Sequence, residues 1–196
     1  MRSTILAVAL ILVGAAAAFH APSAAAQKDA GWTSLIGKSL DNWNVTGNAD
    51  WKLADGVIEA TKARGFLLTK DSYTDFDLRG EVYALADSNG GFLFRITNPK
   101  DPGIENGYEF NINDNRKDQD GRTGSIVNVA KPLFKFDSAN KWTTVEISAR
   151  GPHMTGKLDG KLLAEADDAK YASGPVSLQA AGGLIRYRNV QIRRIK

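Results

Sequence analysis

The stretch Phe76-Asp77-Leu78-Arg79-Gly80-Glu81-Val82-Tyr83 alternates between apolar or small residues and polar or amphipathic ones. A period of two residues is that of a β-strand with one face buried and the other in water. The segment Tyr108 to Asn113 repeats the pattern, with Tyr, Phe and Ile on one side and Glu or Asn on the other. Both segments therefore predict half-buried strands.

Further short runs along the chain have the same strand character and are separated by turn residues. They are Trp51 to Leu53, Val57 to Ala60, Gly65 to Thr69, Gly91 to Ile96, Trp142 to Ala149, Met154 to Leu158, Leu162 to Glu165, Val176 to Ala180 and Ile185 to Ile192. Asp55-Gly56 and Asp159-Gly160 lie between such runs, where a type I′ hairpin turn needs residues that tolerate positive φ. Many short strands without an amphipathic helix predict an all-β fold, an antiparallel β-sandwich.

The amino-terminal segment has the composition of a secretory signal peptide. Arg2 supplies a positive charge, Ile5 to Phe19 is an apolar run, and Ala24-Ala25-Ala26 offers small residues for cleavage. Because the run is shorter than the roughly 20 residues that span a bilayer, we expect cleavage rather than anchoring. The sequence thus predicts a leader at 1–26, one β-sandwich domain at 27–196 and export, most simply to a bacterial periplasm, with no membrane association after cleavage.

The composition excludes several kinds of chemistry. The chain of 196 residues has no Cys and two His, and its 25 Lys and Arg exceed its 22 Asp and Glu for a formal charge of +3. Without Cys there is no disulfide, no thiolate zinc site and no cysteine nucleophile. Since the basic residues are scattered among acidic ones, no nucleic-acid partner is expected.

Cleavage of the leader would remove His20 and leave His153 as the one histidine. One imidazole cannot form a histidine-rich metal site, and a Ser-His-Asp triad would need His153 beside both partners. His153 follows Gly151-Pro152 at the start of a predicted strand, which favours an exposed turn residue. Acid and base chemistry is therefore expected from carboxylates, Tyr, Lys or Arg, and any metal would be oxygen-bound Ca, Mg or Mn.

Strand alternation also predicts which polar side chains share a sheet face. The side chains opposite the apolar sides of their strands are Arg95, Glu109, Asn111, Asn113 and Gln179. On neighbouring strands they would form a surface suited to sugar hydroxyls, with Trp43, Trp51 and Tyr83 as rings to cover the sugar. The alternative is an ordinary solvated face on which Arg95 and Glu109 form a cross-strand ion pair.

Two irregular stretches, Asn98 to Asn106 and Asp114 to Gly124, are rich in Asp, Asn, Gly or Pro. Asp114 and two further Asp residues in the second stretch are possible calcium ligands, but they lack the full spacing of a calcium loop. Basic residues stand between these carboxylates. A solvated loop that neutralises its own charge is therefore the favoured interpretation.

Short motifs in a fixed order cover most of the chain after the leader. They are Gly31 to Leu35, Leu40 to Trp43, Trp51 to Ile58, Tyr73 to Arg79, Asn89 to Arg95, Gly107 to Phe110, Thr123-Gly124, Lys141-Trp142, Asp159-Gly160, Gly174 to Gln179 and Arg188 to Ile192. The ordered series resembles the 3-keto-disaccharide hydrolase family, long described only as a domain of unknown function. The resemblance implies a concanavalin A-like jelly-roll sandwich.

The same resemblance implies action on glycosides already oxidised to a ketone at C3, by hydrolysis or by elimination to a 3-keto-2-hydroxy-glucal and its hydration. A C3 ketone acidifies the C2 proton, so a carboxylate base can remove it if the enolate is stabilised. The matching motifs imply Glu109 as the base and Arg95 as its electrostatic partner. Asp114 could hold a divalent ion or assist proton transfer. The substrate-binding residues that we predict are Trp43, Asn89, Asn111, Asn113 and Gln179.

One position departs from the family pattern. Many members carry a histidine two residues after the glutamine of the Leu-Gln motif, where this chain has Ala181. Because Ala181 can neither bind a metal nor transfer a proton, a noncatalytic carbohydrate-binding, lectin-like module stays open. The segment Ser125 to Pro132 departs as well, so the family's substrate choice is not carried over. A structural adhesion domain is supported by the fold class alone.

Overall fold

The computed structural model describes residues 30–195, so the leader predicted at 1–26 lies outside the described residues. The regular structure of that range is almost all β, with two short 3₁₀ helices at Leu40–Asn42 and Gln119–Gly121. The strands are β1 (Thr33–Ser34), β2 (Trp43–Gly47), β3 (Lys52–Ala54), β4 (Val57–Ala60), β5 (Arg64–Thr69), β6 (Phe76–Ala84), β7 (Gly90–Phe94), β8 (Tyr108–Ile112), β9 (Trp142–Arg150), β10 (His153–Leu158), β11 (Lys161–Asp167), β12 (Ser177–Ala181) and β13 (Ile185–Arg194). Within 30–195 there is no helix long and apolar enough to cross a membrane.

The strands form two antiparallel sheets. The large sheet has the order β11-β10-β9-β6-β13-β4-β3, with β1 also paired to β13, and the small sheet has the order β2-β5-β12-β7-β8. The sheets face each other: Phe76 of β6 meets Phe94 of β7 edge-on with ring centroids 5.9 Å apart, and Phe92 meets Tyr187 at 5.3 Å. Such edge-to-face contacts are the favoured geometry of packed aromatic rings. The predicted all-β sandwich is confirmed.

Strand β6 shows how the sequence builds this core. Its buried positions are Phe76, Leu78, Gly80, Val82 and Ala84, and every residue between them is only partly buried. Removing a large apolar side chain from water contributes roughly 1.5–3 kcal/mol, which fixes the face that each strand turns inward. The alternation in the sequence therefore determines which side of β6 faces the core.

The two predicted hairpin turns have the backbone that their residues favour. Asp55 and Gly56 have φ values of 50° and 75°, and Asp159 and Gly160 have values of 47° and 73°. Positive φ at both central residues is the requirement of a type I′ turn. These turns connect β3 to β4 and β10 to β11.

Strands β1 and β2 were not predicted, because neither shows alternating burial. In β2 the consecutive residues Asn44 and Val45 are both exposed, and the strand lies at the edge of the small sheet. The segment between β8 and β9 is also longer than the irregular stretch predicted from Asp114 to Gly124, since β9 begins only at Trp142. The strand β2 and the path of the segment after β8 both depend on contacts with residues that are distant in the sequence.

Candidate functional site

Strands of the small sheet turn alternate residues to the core and to an outer face. Leu67, Phe92, Phe110 and Leu178 belong to the core, so the residues before and after each of them in its strand point outward. We call this outer face the site face. Its side chains include Arg64, Phe66, Glu109, Asn111 and Gln179.

The register of three strands lets two of the predicted residues interact. Gln179 of β12 lies opposite Gly91 of β7, and Gly91 lies opposite Asn111 of β8. A Cβ atom at Gly91 would lie 2.5 Å from the Phe110 carbonyl oxygen, so this position admits no larger residue without a shift. Glu109 lies opposite Leu93, two residues before Asn111, so Gln179 approaches it diagonally across β7, and a side-chain hydrogen bond from Gln179 acts to lower the pKa of Glu109.

Glu109 is the one buried carboxylic residue of the part of the chain that the structure describes, with 7 % of its surface exposed. Loss of hydration raises its pKa to about 7, against the smaller opposite effects of Gln179, Arg64 and Arg116. A carboxyl group that ionises near neutral pH can both accept and return a proton. Glu109 therefore has the proton affinity of a general base or acid.

The buried side-chain oxygen of Gln179 lacks a hydrogen-bond donor among the residues that the structure describes. The residue is 4 % exposed, and its Oε1 atom has no hydrogen-bond partner within residues 30–195. Leaving a buried polar atom unpaired costs about 1–3 kcal/mol, so such atoms usually have a reason. A hydroxyl group of a ligand would satisfy this oxygen while the amide nitrogen stays near Glu109.

Two cations act on Glu109, and neither was among the predicted site residues. The Arg64 guanidinium lies over the Phe66 ring, 5.2 Å from its centroid. Arg116 comes from the segment after β8 and pairs with Asp118 at 2.7 Å. Phe66 was missed because the run Gly65 to Thr69 is buried at every position, so no periodicity reveals its outward residues. The signal for Arg64 was its place two residues before Phe66.

The predicted asparagines lie at or beside this face, but they differ in what they bond. Asn111 is committed to the protein: its amide donates to the Gly121 carbonyl at 2.6 Å, and its oxygen accepts from the Ile112 amide. Asn89 immediately precedes β7 and exchanges backbone hydrogen bonds with β12 and the residue after it. Asn113 follows β8, and its backbone amide donates to the Thr123 hydroxyl. Asn89 and Asn113 are partly buried, and the hydrogen bonds that they form within residues 30–195 use their backbone groups.

Arg95 lies elsewhere, which corrects the expectation that it faces Glu109. Its guanidinium donates to the carbonyls of Thr74 (2.7 Å) and Gly151 (2.7 Å), and it is 3.3 Å from the Asp75 carboxylate. It is 1 % exposed. The alternation fails at this residue because its φ is +54°, beyond the end of β7 at Phe94. Arg95 thus joins segments of the fold instead of lining the site face.

The predicted aromatic platform is also absent from the site face among residues 30–195. Trp43 is 5 % exposed and belongs to the core, because it opens β2 on the inward side. Trp51 packs near Tyr187 in the core, with ring centroids 6.5 Å apart. Tyr83 lies in the large sheet beside Trp142 at 5.8 Å. The aromatic side chain that the site face does carry is Phe66.

Asp114, the predicted metal residue, is held by four donors. Its carboxylate accepts hydrogen bonds from the Thr123 hydroxyl, from the Ser138 amide and hydroxyl, and from the Ala139 amide. No group of three or more His, Asp or Glu side chains within residues 30–195 is placed to hold a metal ion. This donor set does not fit a divalent ion, and we derive no step through one.

His153 begins β10 in the large sheet, outside the site face. It is exposed, with Nδ1 2.9 Å from Asp167 and Nε2 3.3 Å from Glu165. This agrees with the expected exposed position. His153 therefore does not belong to the site face, and the carboxyl group there that can act as an acid or base is that of Glu109.

Solved structures with this fold include candidate glycosyl hydrolases. One from Parabacteroides distasonis superimposes with a TM-score of 0.76 at 18% identity, covering 90% of this chain and 99% of that one. A second from the same organism gives a TM-score of 0.72 at 26% identity, covering 84% and 99%. The carbohydrate-binding module CBM66 from Bacillus subtilis gives 0.60 at 20% identity, covering 83% and 95%. No curated protein matches the chain.

The fold is thus the concanavalin A-like jelly roll, and the protein belongs to the carbohydrate-related proteins built on it. A family model narrows the class. It describes the 3-keto-alpha-glucoside-1,2-lyase-like domain and matches residues 31–193. The chain belongs to this family.

Proposed function

We propose that the protein cleaves glycosides that carry a ketone at C3, with Glu109 as the base that removes the C2 proton. One observation carries the proposal: Glu109 is buried on the site face, its pKa is raised to about 7, and the unpaired Gln179 oxygen lies beside it. Family membership supports the substrate class. Asn89 and Asn113 complete the binding surface.

The chemistry needs a base and a place for negative charge. Glu109 takes the C2 proton, and the electron pair of the C2–H bond forms the C2=C3 enolate. The enolate then restores the C3 ketone, a C1=C2 double bond forms, and the C1–O bond breaks to release the aglycone, which acquires a proton. Addition of water across C1=C2 completes net hydrolysis. An active site gains most from groups that bind the anion rather than the ketone.

Release of the aglycone tests this function. The purified protein is incubated with the 3-keto-glucoside of 4-nitrophenol, with and without divalent ions, and release is measured above the spontaneous rate. Glu109→Gln should lower the rate by about 100-fold or more, as expected for loss of a positioned base. Glu146→Gln, on an exposed position of β9, is the matched control. Wild-type protein that releases nothing under any ion contradicts the proposal.

The pH profile gives an independent check. Because Glu109 must be ionised to act as the base, kcat/KM should rise with pH through about 7 and then level off. A profile that is flat between pH 5 and 9 would exclude Glu109 as the base. Any pH dependence that remains in the Glu109→Gln variant comes from groups other than Glu109, including those of the substrate.

A noncatalytic sugar-binding module is the second candidate, and Ala181 favours it. Ala181 lies opposite Arg64 on β5, where its methyl group offers no acid, base or ligand. Calorimetry against a panel of oligosaccharides should then show binding that Gln179→Ala weakens, without any turnover. A flat titration across the panel excludes this function.

We also propose that the chain is exported, with cleavage after residue 26. The composition of the leader supports this, as does the start of the family match at residue 31. Fractionation of cells that express the full chain should place the protein outside the cytoplasm, with Gln27 as the first residue by mass spectrometry. A cytoplasmic protein that retains Met1 or Arg2 overturns the proposal.

A further inference from the structure

Arg64 is the first residue of β5 and lies at one end of the site face, where its side chain packs on Phe66. The guanidinium packs 5.2 Å from the centroid of Phe66, which is 4 % exposed and so holds its place. A methyl group at Gly103 would lie 3.5 Å from Arg64 Nη2, so the backbone before β8 runs alongside the guanidinium. Stacking over Phe66 directs the cation along β5 toward the row that contains Gln179. Packing on a ring limits rotation without using the N–H donors.

The Arg64 guanidinium is also free of carboxylates. Within residues 30–195 no Asp or Glu oxygen lies within 4.0 Å of it. Arg116, the other cation that acts on Glu109, is already paired with Asp118. Arg95 gives its donors to backbone carbonyls and Asp75. Arg64 is therefore the cation of the site with donors to offer a ligand.

The charge balance of the reaction calls for such a cation. When the C2 proton moves to Glu109, the negative charge leaves the carboxylate and appears on the substrate oxygen at C3. A cation that acts on Glu109 before the transfer, and on the oxygen after it, stabilises the anion without rearrangement. Arg64 already acts on Glu109, whose charged form it favours.

We infer that Arg64 is a catalytic residue, whose guanidinium donates hydrogen bonds to the C3 oxyanion formed when Glu109 removes the C2 proton. This rests on the proposed function. The C2–H bond breaks, the proton goes to Glu109, the electron pair enters the C2=C3 bond, and Arg64 undergoes no covalent change. Arg64 thus takes the role that the sequence assigned to Arg95, with Phe66 as its positioning residue.

Deuterium exchange isolates this step. A 3-keto sugar without a leaving group, 1,5-anhydro-3-keto-glucitol, is incubated in D₂O, and loss of the C2 proton is followed by NMR for wild type, Arg64→Met and Arg64→Lys. Loss of an oxyanion donor typically lowers the rate about 100- to 1000-fold, so Arg64→Met should lose that much, with KM changed less than about 3-fold. The Lys variant should recover part of the loss, since it keeps the charge without the planar fork.

The control is Arg194→Met, which removes a guanidinium that lies 4.3 Å from the Tyr73 ring and pairs with Asp71. It should exchange at the wild-type rate. Urea unfolding of Arg64→Met should match wild type, because Arg64 is exposed. If wild type exchanges and Arg64→Met does so equally fast, or loses only KM, the assignment of Arg64 is wrong. If wild type fails to exchange, the proposed function itself fails and this assignment with it.

Discussion

Two carboxyl groups in this protein show how strongly the environment sets proton affinity. Asp50 accepts hydrogen bonds from the Thr61 hydroxyl and from the amides of Thr61 and Lys62, and these donors hold its pKa far below the usual range. Glu109 has lost its water, and its pKa rises to about 7. The first group is locked as an anion, whereas the second can change its charge near neutral pH.

The raised pKa of Glu109 predicts a stability effect with a definite sign. The folded protein holds this proton more tightly than the unfolded chain, so the free energy of unfolding falls as pH rises from 4.5 through about 7. The full effect corresponds to roughly 3 kcal/mol. Glu109→Gln should remove this fall, so the variant should gain stability relative to wild type between pH 5 and pH 8. Urea denaturation at both pH values measures it, and an equal difference at both would contradict the raised pKa.

Arg95 gives a second prediction at this scale. Arg95→Met removes the buried guanidinium that donates to the carbonyls of Thr74, Gly151 and Tyr171, and it takes from Asp75 one of its two donors, so we expect a loss of about 3 kcal/mol in the free energy of unfolding. Arg194→Met removes an exposed pair and should cost less than about 1 kcal/mol. Denaturant titrations compare the two. A stable Arg95→Met protein that is inactive would instead restore Arg95 to the reaction.

Residue positions could be predicted where a strand runs without interruption. Glu109, Asn111 and Gln179 share a face because polar and apolar residues alternate in the sequence there, although β8 is buried at every position and β12 at all but its last. Arg95 could not be placed this way, since a single residue with positive φ after β7 reverses the alternation. Phe66 lies within a run that is buried on both faces and Arg64 directly precedes it, and in such a run periodicity does not show which residues point outward.

At the scale of elements, Asp114 is one of the residues that hold the segment from Asn113 to Lys141 in place. One carboxylate ties Thr123 to Ser138 and Ala139, so the two ends of the segment are held together. Arg116, which acts on Glu109, lies within the enclosed part. We therefore expect the position of Arg116 to depend on the contacts of Asp114.

Asp114→Asn should show this dependence. The Asn oxygen can still accept from the Ser138 and Ala139 amides, but its N–H₂ group replaces the oxygen that accepts from the Thr123 and Ser138 hydroxyls, and the negative charge is lost. We therefore expect a loss of about 1–3 kcal/mol in unfolding free energy. Hydrogen exchange should rise between residues 113 and 141 before the sheets open. Asp87→Asn, at an exposed position, is the control and should change neither quantity. Full protection of the segment in Asp114→Asn would refute this role.

Most strands could be read from the sequence, whereas the long segment could not. Strands such as β6 and β9 alternate over nine residues each, so burial alone determines them. The segment after β8 has almost no regular structure, and its path follows from side-chain hydrogen bonds such as that of Asn111 to the Gly121 carbonyl. Hydrogen bonds of this kind produce no periodic pattern in the sequence, so they could not be predicted from it.

Across the whole molecule the two sheets expose different surfaces. The outer face of the large sheet pairs Arg188 with Glu81 at 2.6 Å and Arg186 with Glu59 at 2.6 Å. Arg188 also lies 4.0 Å from the Trp142 ring. These two ion pairs neutralise their charges within the large sheet, whereas on the site face of the small sheet the buried Gln179 oxygen has no hydrogen-bond partner among residues 30–195. The Gln179 oxygen is therefore an acceptor that a ligand on the small sheet could satisfy.

One core joins the sheets, so they should unfold together. Phe92→Ala removes a ring that packs against Tyr187 of the opposite sheet, and we expect a loss of about 3–5 kcal/mol. Tryptophan fluorescence and far-ultraviolet circular dichroism should report one coincident transition for wild type and variant. Separated transitions in wild type would show that the sheets unfold independently.

The two borders of the small sheet have unequal consequences at high protein concentration. Along β8 the backbone is already paired with the returning segment: Val127 donates to the Glu109 carbonyl, Gly124 donates to the Asn111 carbonyl, and the Asn111 amide donates to the Ser125 carbonyl. At the opposite border, β2 has no further strand beside it among residues 30–195, and Val45 there is 57 % exposed. An unpaired strand border is a template for another chain. Of these two borders, β2 is therefore the one at which we expect other copies to associate, whereas the border that carries Glu109 stays paired within its own chain even when the protein is crowded.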